Sequence, residues 1–330
     1  MCGGFANAIT IRYNCRMKLI RIGTRGSTLA LWQAHWVETE LRCHGFLTKI
    51  IEIGTSGDRD HVRSIAGLGI EGVFTKEIQR ALLDGTIDMA VHSLKDLPTE
   101  NFEGLEFAAS PQRGPHRDVF VSCIATSLDD LPDGSCIGTG SIRRKAQLLN
   151  LYGERFQIAE IRGNVETRLK KLDAGDYDAI ILAEAGLVRL GLSEHIAAFL
   201  ELPQFLPAIG QGAIGIEIRP DDKETLRTAI DCLNDLPTYA AVTAERTLLR
   251  SLGGGCLAPI AAFGVVNMST ALVTLTACVL SPDGKQRLEA SQDVPIGVSE
   301  KNILRDVAEQ LGRDVANELF AAGADQLLRG

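Results

Sequence analysis

The pattern of apolar and polar positions predicts strands that alternate with helices along most of the chain. Short apolar runs typical of buried strands cover residues 19–22, 88–91, 156–161 and 178–182. Helical periodicity, in which apolar positions recur every three or four residues, covers residues 29–41, 77–83, 142–151 and 165–172. Such alternation favours parallel sheets with helices on both faces, the α/β class of fold.

One plan occurs twice in the sequence: a strand, a Gly/Thr/Ser turn and a helix. It runs from residue 22 to 41 and again from 137 to 151, and Ser27 and Ser141 stand where helix N-caps are expected. In both copies a later helix is followed by a glycine and, three residues on, by an aspartate that opens a strand. The repetition predicts two similar domains that face each other, with a ligand cleft between them.

The pattern changes after Pro237, where a smaller α+β domain is expected. The elements predicted there are a helix over 239–252, strands around 260–266 and 272–280, and a long helix over 299–322. At the other end, Met17 directly precedes the first strand, so we interpret residues 1–16 as a disordered N-terminal extension. The chain is therefore expected to form three domains.

Composition narrows the possible partners. The 42 acidic residues outnumber the 34 basic ones, so the net charge at pH 7 is −8, whereas binders of nucleic acid or membrane surfaces usually carry a basic field. Neither partner is expected, and any anion site must be local. Eight cysteines without CxxC pairs and six histidines without ligand spacing indicate reduced thiols and no metal site. With no spanning stretch and no secretory signal, we expect a cytoplasmic monomer.

Five arginines occur where an anion could bind. Arg143 and Arg144 fall in the first turn of a predicted helix, where the helix dipole disfavours cations, so a compensating anion is expected. Arg25 occupies the equivalent turn of the first copy, Arg162 follows a strand, and Arg168 comes a helical turn later. The alternative is a solvated face, but so many arginines at strand ends favour an anion site.

Two further positions are candidates for chemistry. Lys95 and Asp96 lie in the stretch that follows the buried strand at 88–91, and ligands of α/β sheets bind at carboxyl ends of strands. The alternative is a surface turn held by Pro98. Cys256 follows three glycines and could be a nucleophile or an attachment point, although a lone cysteine is more often an inert buried residue.

A glycine-rich stretch, GLGIEG at residues 67–72, matches the dinucleotide-binding fingerprint by its letters. It follows the charged residues 58–63 rather than a strand, which the fingerprint requires. We therefore interpret residues 55–74 as a mobile lid. The alternative that the protein is a dinucleotide-dependent oxidoreductase is supported by this motif alone.

Six motifs, in this order, resemble those of the porphobilinogen deaminases, also called hydroxymethylbilane synthases. They are RGSTLALWQA at 25–34, VHSLKDLP at 91–98, GTGSIRR at 138–144, RGNVETRL at 162–169, LPAIGQGA at 206–213 and GGCLAP at 254–259. The resemblance runs from about Met17 to the C-terminus. It raises Cys256 from a minor candidate to the residue that carries a cofactor.

The resemblance implies two periplasmic-binding-protein-like (type II) α/β domains plus a small C-terminal α+β domain. After residue 212 the chain would return to the first of them. The domain limits expected on this basis are 17–111 with 213–231 for domain 1, 112–212 for domain 2 and 232–330 for domain 3.

The family's activity, implied here, is the stepwise condensation of four porphobilinogen molecules with loss of ammonia. They add to a dipyrromethane cofactor held covalently on Cys256, and hydrolysis then releases hydroxymethylbilane for heme biosynthesis. The implied catalytic residues are Asp96, Arg25, Arg143, Arg144, Arg162, Arg168 and Lys95. The implied cofactor contacts, besides Cys256, are Ser27, Lys95, Asp96, Thr139, Ser141, Arg143, Arg144, Arg162 and Gly163.

One position departs from the family pattern. Within the implied lid motif of Gly69, Glu71 and Phe74, Glu71 stands where the family usually has lysine. A carboxylate contact from the lid is then missing, and we expect weaker substrate or cofactor binding at that point unless Lys76 or Arg63 substitutes. A non-catalytic anion-binding protein of the same fold remains the chief alternative, since fold does not determine function.

Overall fold

The computed structural model describes residues 19–54, 75–100, 102–220, 224–253, 258–296 and 301–329. The predicted extension, the lid with its glycine-rich stretch, and Cys256 lie outside these residues, so the expectations about them stay predictions. In the described part of the chain, no helix is long and apolar enough to cross a membrane.

The first sheet has five strands in the order β2-β1-β3-β10-β4. They are β1 (Ile20–Arg25), β2 (Thr48–Ile53), β3 (Met89–Ser93), β4 (Glu106–Ala109) and β10 (Ile214–Ile218). Its helices are α1 (Thr28–Cys43), α2 (Lys76–Leu83) and α6 (Glu224–Leu233). Alternate residues of β3 point to opposite faces: Met89 and Val91 pack with α1 and α6, and Ala90 packs with α2.

The second sheet repeats this arrangement, in the order β7-β6-β8-β5-β9. Its strands are β5 (Asp118–Ser122), β6 (Cys136–Gly138), β7 (Gln157–Ala159), β8 (Ala179–Ala183) and β9 (Ala198–Leu200). Its helices are α3 (Ile142–Tyr152), α4 (Val165–Asp173) and α5 (Glu184–Arg189). The α/β class and the internal repetition predicted from the sequence are confirmed.

The expectation of parallel sheets is wrong in part, because each sheet contains antiparallel pairings. β10 runs antiparallel to β3 and β4, and β5 runs antiparallel to β8 and β9. These are the strands that follow the two passages of the chain between the sheets. The direction of such a strand is set by the side from which the chain enters the sheet. The spacing of apolar residues predicts that a strand forms, but not its direction.

The two connecting segments, residues 110–117 and 201–213, lie side by side. Arg113 Nε donates to the carbonyl oxygen of Gln211 at 2.9 Å, and Gln211 Nε2 donates to the carbonyl oxygen of His116 at 2.8 Å. The connection between the two sheets is therefore a hydrogen-bonded pair of segments.

The third sheet is antiparallel, in the order β11 (Ile260–Asn267), β12 (Leu272–Leu280) and β13 (Arg287–Pro295). Helices α7 (Leu236–Ser251) and α8 (Lys301–Ala321) form a core with it, and α9 (Ala324–Arg329) follows. The sequence pattern did not predict β13, in which Ala290 is the one buried residue. α7 begins earlier than predicted, because Asp235 caps it and Pro237 fits its first turn.

A buried ion pair joins the third sheet's unit to the connecting segments. Arg113 Nη1 lies 2.5 Å from Glu245 Oε1 on α7, and the Glu245 side chain is fully buried. The same carboxylate accepts hydrogen bonds from the backbone N–H groups of Gly210 and Gly264, both at 2.7 Å. α7 is thereby fixed against the place where the chain passes between the first two sheets.

Candidate active site

A buried carboxylate organises the two arginines at the start of α3. Ser141 caps this helix, as predicted, by accepting a hydrogen bond from the Arg144 N–H. Arg143 Nη1 donates to Asp118 Oδ2 at 2.7 Å, while Arg144 Nε and Nη2 donate to Asp118 Oδ1 at 3.0 and 2.7 Å. Both arginines are buried, so the solvated-face alternative is wrong for them. The anion that compensates for their charge near the helix N-terminus is Asp118.

Asp118 also holds the connecting segments. Its Oδ1 accepts a hydrogen bond from Gln211 Nε2 at 3.0 Å, and Arg143 Nη1 donates at 2.6 Å to the carbonyl oxygen of Leu206. Burial by itself raises the pKa of Asp118, but the charges and hydrogen bonds of Arg143 and Arg144 outweigh it and hold that pKa well below its ordinary value. The carboxylate is therefore ionised throughout the neutral range.

Lys95 and Asp96 lie on a short 3-10 turn, Leu94–Asp96, at the carboxyl end of β3. The Leu94 N–H anchors the turn by donating to the carbonyl oxygen of Ala213 at 3.0 Å. The Leu97 N–H closes it by donating to the carbonyl oxygen of Leu94 at 3.1 Å. Both charged side chains are exposed. Within the described part of the chain, neither makes a side-chain hydrogen bond.

Electrostatic interactions place this turn beside the arginines of the second sheet. Lys95 keeps contact with solvent, but the surrounding protein removes much of the water from its ammonium group, and this desolvation lowers its pKa to about 8. Asp96 opposes the shift and Arg144 adds to it. For Arg168 on α4, burial and the charge of Arg144 lower the pKa to about 10, against the opposing effect of Asp96.

These groups form what we call the cationic cluster: Lys95, Asp96, Asp118, Arg143, Arg144 and Arg168. Four cations face two carboxylates, so the cluster carries an excess of positive charge in a protein that is acidic overall. Several N–H groups in it are still available. Arg168 Nε donates to the carbonyl oxygen of Gly163 at 2.8 Å, whereas its terminal nitrogens make no hydrogen bond to the described residues.

A pocket at the edge of the first sheet continues the site on the other side of Asp96. Arg25, Ser27, Gln33, Ser93 and Asp96 contribute to its lining. Ser27 caps α1, as predicted, and Gln33 Nε2 donates to Ser93 Oγ at 2.9 Å. The predicted positions Arg25, Ser27 and Asp96 are thus brought together.

The remaining predicted contacts lie around the start of α4 and the end of β6. Arg162 donates through Nε and Nη2 to Glu160 Oε1 at 2.8 and 2.6 Å. Gly163 has a φ of +115°, a conformation that favours glycine. Thr139 is buried, and its Oγ1 accepts a hydrogen bond from the Ser141 N–H at 3.2 Å.

Sequence reasoning missed Asp118, Gln211 and Arg189. Asp118 opens an apolar strand, and a charge in that position was a usable signal. Arg189, at the end of α5, lies over the ring of Trp32 at 5.5 Å and donates to the carbonyl oxygen of Gly212 at 2.6 Å, so it spans the two sheets. No local pattern marked it, because its partners are distant in sequence.

The fold is that of a bilobal α/β protein in which the cationic cluster brings together residues of both larger sheets' units. A family model described as "Porphobilinogen deaminase, dipyromethane cofactor binding domain" matches residues 20–227, and one described as "Porphobilinogen deaminase, C-terminal domain" matches residues 239–321. This chain belongs to the porphobilinogen deaminase family.

Individual relatives agree with the family models. The porphobilinogen deaminase of Geotalea uraniireducens is 46% identical over 307 residues, which are 92% of this chain and 95% of that protein. That of Desulforudis audaxviator is 45% identical over 311 residues, 93% of this chain and 96% of that protein. A solved periplasmic substrate-binding protein from Coxiella burnetii matches 68% of this chain and 94% of its own at 16% identity, with a TM-score of 0.43. This last likeness has no bearing on function.

We expect Asp118→Asn to lower the free energy of unfolding by about 3–5 kcal/mol, because two buried guanidinium groups lose their counter-charge. Urea titrations at several pH values measure this. Because the pKa of Asp118 is depressed on folding, its contribution is complete above the ordinary aspartate pKa of about 4 and is lost as the pH falls below it. The free energy of unfolding of Asp118→Asn should therefore fall less than that of the wild type as the pH is lowered below about 4.

Asp133→Asn is the matched control. Its side chain is 85% exposed and its ion pair with Arg155 lies at the surface, so a change below about 1 kcal/mol is expected. Equal losses in the two variants would contradict the role given to Asp118.

Proposed function

We propose that this chain condenses four porphobilinogen molecules head to tail, with loss of ammonia, onto a dipyrromethane group bound covalently at Cys256. Hydrolysis then releases hydroxymethylbilane. The observation that carries the proposal is the cationic cluster. It combines unused N–H donors of arginine with the carboxylate of Asp96 on a turn at the carboxyl end of a strand.

The charge of the cluster suits the substrate. Each porphobilinogen bears an acetate and a propionate, so a growing chain adds two carboxylates with every unit. Guanidinium groups bind carboxylates in a forked, charge-assisted geometry. Arg168 is placed to do this, since its terminal nitrogens make no hydrogen bond to the described residues. Arg144 already gives Nε and Nη2 to Asp118 and Nη1 to the carbonyl oxygen of Ile181, so it would reach a carboxylate with the remaining hydrogens of its two terminal nitrogens. Arg143 commits both hydrogens of Nη1 to Asp118 and Leu206 and so also helps to position Arg144.

Asp96 is the residue we assign to the reaction itself. Positive charge develops on a pyrrole nitrogen when ammonia leaves and again when the next ring attacks. A carboxylate that accepts the pyrrole N–H stabilises this charge most where water is scarce. Asp96 makes no side-chain hydrogen bond to the described residues, so its oxygens are available for that contact.

The donor set also fits the dipyrromethane group, whose rings carry the same acidic side chains as the substrate. Lys95, Arg144, Arg168 and Ser27 would hold it, with Arg25 in the adjoining pocket. When bound, the group supplies the free pyrrole carbon to which the first substrate unit is joined. The protein's part is to bind the carboxylates, orient the rings and place Asp96 beside the reacting nitrogens.

We further propose the domain limits 17–111 with 213–231, 112–212 and 232–330. The membership of the sheets supports them, since the strands of the first sheet fall within the first pair of ranges, those of the second within 112–212 and those of the third within 232–330.

Intact-mass measurement of the denatured protein tests the attachment. Protein from cells that make porphobilinogen should carry an addition of two pyrrole units, and Cys256→Ala should lack it. Cys232→Ala, at an exposed cysteine, should keep it. An unmodified wild-type mass would favour the alternative, an anion-binding protein without chemistry.

The lowered pKa of Lys95 predicts a pH dependence. Its ammonium group is charged below a pH of about 8 and neutral above it, so carboxylate binding weakens as the pH rises through that value. We expect the KM for porphobilinogen to rise over this range in the wild type and to change less in Lys95→Arg, because arginine keeps its charge. Lys145→Arg, at an exposed position, should behave as the wild type. Identical profiles for all three proteins would exclude Lys95 from substrate binding.

A further inference from the structure

A buried arginine of the C-terminal unit contacts the turn that carries Asp96. Arg246 lies on α7 and is 9% exposed. Its Nη1 donates to the carbonyl oxygen of Leu97 at 3.0 Å, and its Nη2 donates to that of Pro98 at 2.7 Å. One planar guanidinium group therefore holds two successive carbonyl groups immediately after Asp96.

The environment of Arg246 is unusual for a buried cation. Within the described residues its guanidinium makes no hydrogen bond to a carboxylate, and it lies 5.3 Å from the centre of the Phe107 ring. Desolvation lowers its pKa to about 10. Burying a charge in this way is costly unless it is compensated. The two carbonyl hydrogen bonds compensate for it together with the charge of the buried Glu217 carboxylate, which opposes the lowering of the pKa.

Apolar packing supports the same contact. Leu94 and Leu97, which flank Lys95 and Asp96, pack against Val242 of α7. Val242 and Arg246 are four residues apart and share one face of the helix. The turn is thus held to α7 by an apolar contact at one point and by two hydrogen bonds one helical turn further on.

α7 also leads toward the proposed attachment point. The helix ends at Ser251, and Cys256 follows five residues later in the sequence. Arg246 lies in the second half of this helix and bonds it to the backbone that directly follows Asp96.

We infer that Arg246 is a positioning residue for Asp96: its two hydrogen bonds set the place of the catalytic turn relative to the helix that precedes Cys256. The inference rests on the proposed function and on the role given there to Asp96. It predicts an effect on turnover rather than on substrate affinity, since Arg246 reaches the backbone behind the turn and not the cationic cluster.

The test compares Arg246→Met, Arg246→Lys and Arg250→Met with the wild type, all as purified holoenzyme. Methionine removes both donors, lysine keeps the charge but loses the planar pair, and Arg250→Met removes a half-buried arginine one turn along the same helix. The measurements are kcat and KM for porphobilinogen, the intact mass and the melting temperature.

Small displacements of a catalytic group can reduce turnover by up to about 100-fold. We expect kcat to fall about 10- to 100-fold in Arg246→Met and less in Arg246→Lys, with KM within about threefold and the covalent pyrrole units retained. Arg250→Met should keep its kcat.

Several outcomes overturn the inference: a wild-type kcat in folded Arg246→Met, a rise in KM as the main effect, or a loss no larger than that of Arg250→Met. If Arg246→Met does not fold, Arg246→Lys decides, since an unchanged kcat there contradicts the role. A wild-type enzyme that forms no tetrapyrrole would instead refute the proposed function.

Discussion

The site depends on one buried carboxylate. Asp118 stands at the first residue of β5, where the chain has just passed from the first sheet to the second, and its side chain is fully buried. It gathers the guanidinium groups of Arg143 and Arg144 and the amide of Gln211. Without this negative charge, two arginines in the first turn of a helix would be buried against an unfavourable dipole.

This arrangement explains how an acidic protein maintains a cationic site. Asp118 offsets part of the charge of Arg143 and Arg144 from behind, and the side facing Lys95 and Arg168 keeps its positive excess. Because the same carboxylate binds Gln211 of a connecting segment, the cluster is attached to the place where the two sheets join. The cluster therefore depends on how the two sheets are held together.

Much of the fold could be predicted because it follows from local patterns. The alternation of strands and helices and the N-caps Ser27 and Ser141 are properties of short stretches. The antiparallel strands β5 and β10 were not predicted, because their direction is set by passages between sheets. The same distinction holds within the site. The first-turn position of Arg143 and Arg144 predicted that an anion compensates for them, but not that it is Asp118.

Residues that act across the fold were beyond sequence patterns for the same reason. Arg246 reaches the carbonyl oxygen of Leu97, which is 149 residues away in the sequence. Arg189 reaches the ring of Trp32 on α1, the helix that packs against the first sheet. Neither occurs in a motif whose spacing indicates a partner. Arg246 holds the turn that carries Asp96, and Arg189 holds the connecting segment at Gly212.

The most direct test of the account is rapid-quench mass spectrometry of the holoenzyme mixed with porphobilinogen. We predict successive covalent additions of single pyrrole units to the wild type, up to four, and additions slowed by at least about 100-fold in Asp96→Asn, because the charge that stabilises the pyrrole nitrogen is lost. The intact masses of both proteins before mixing show whether each carries its dipyrromethane, so that only proteins in the same starting state are compared. Additions to Asp96→Asn at the wild-type rate would contradict the assignment of the reaction to the cationic cluster.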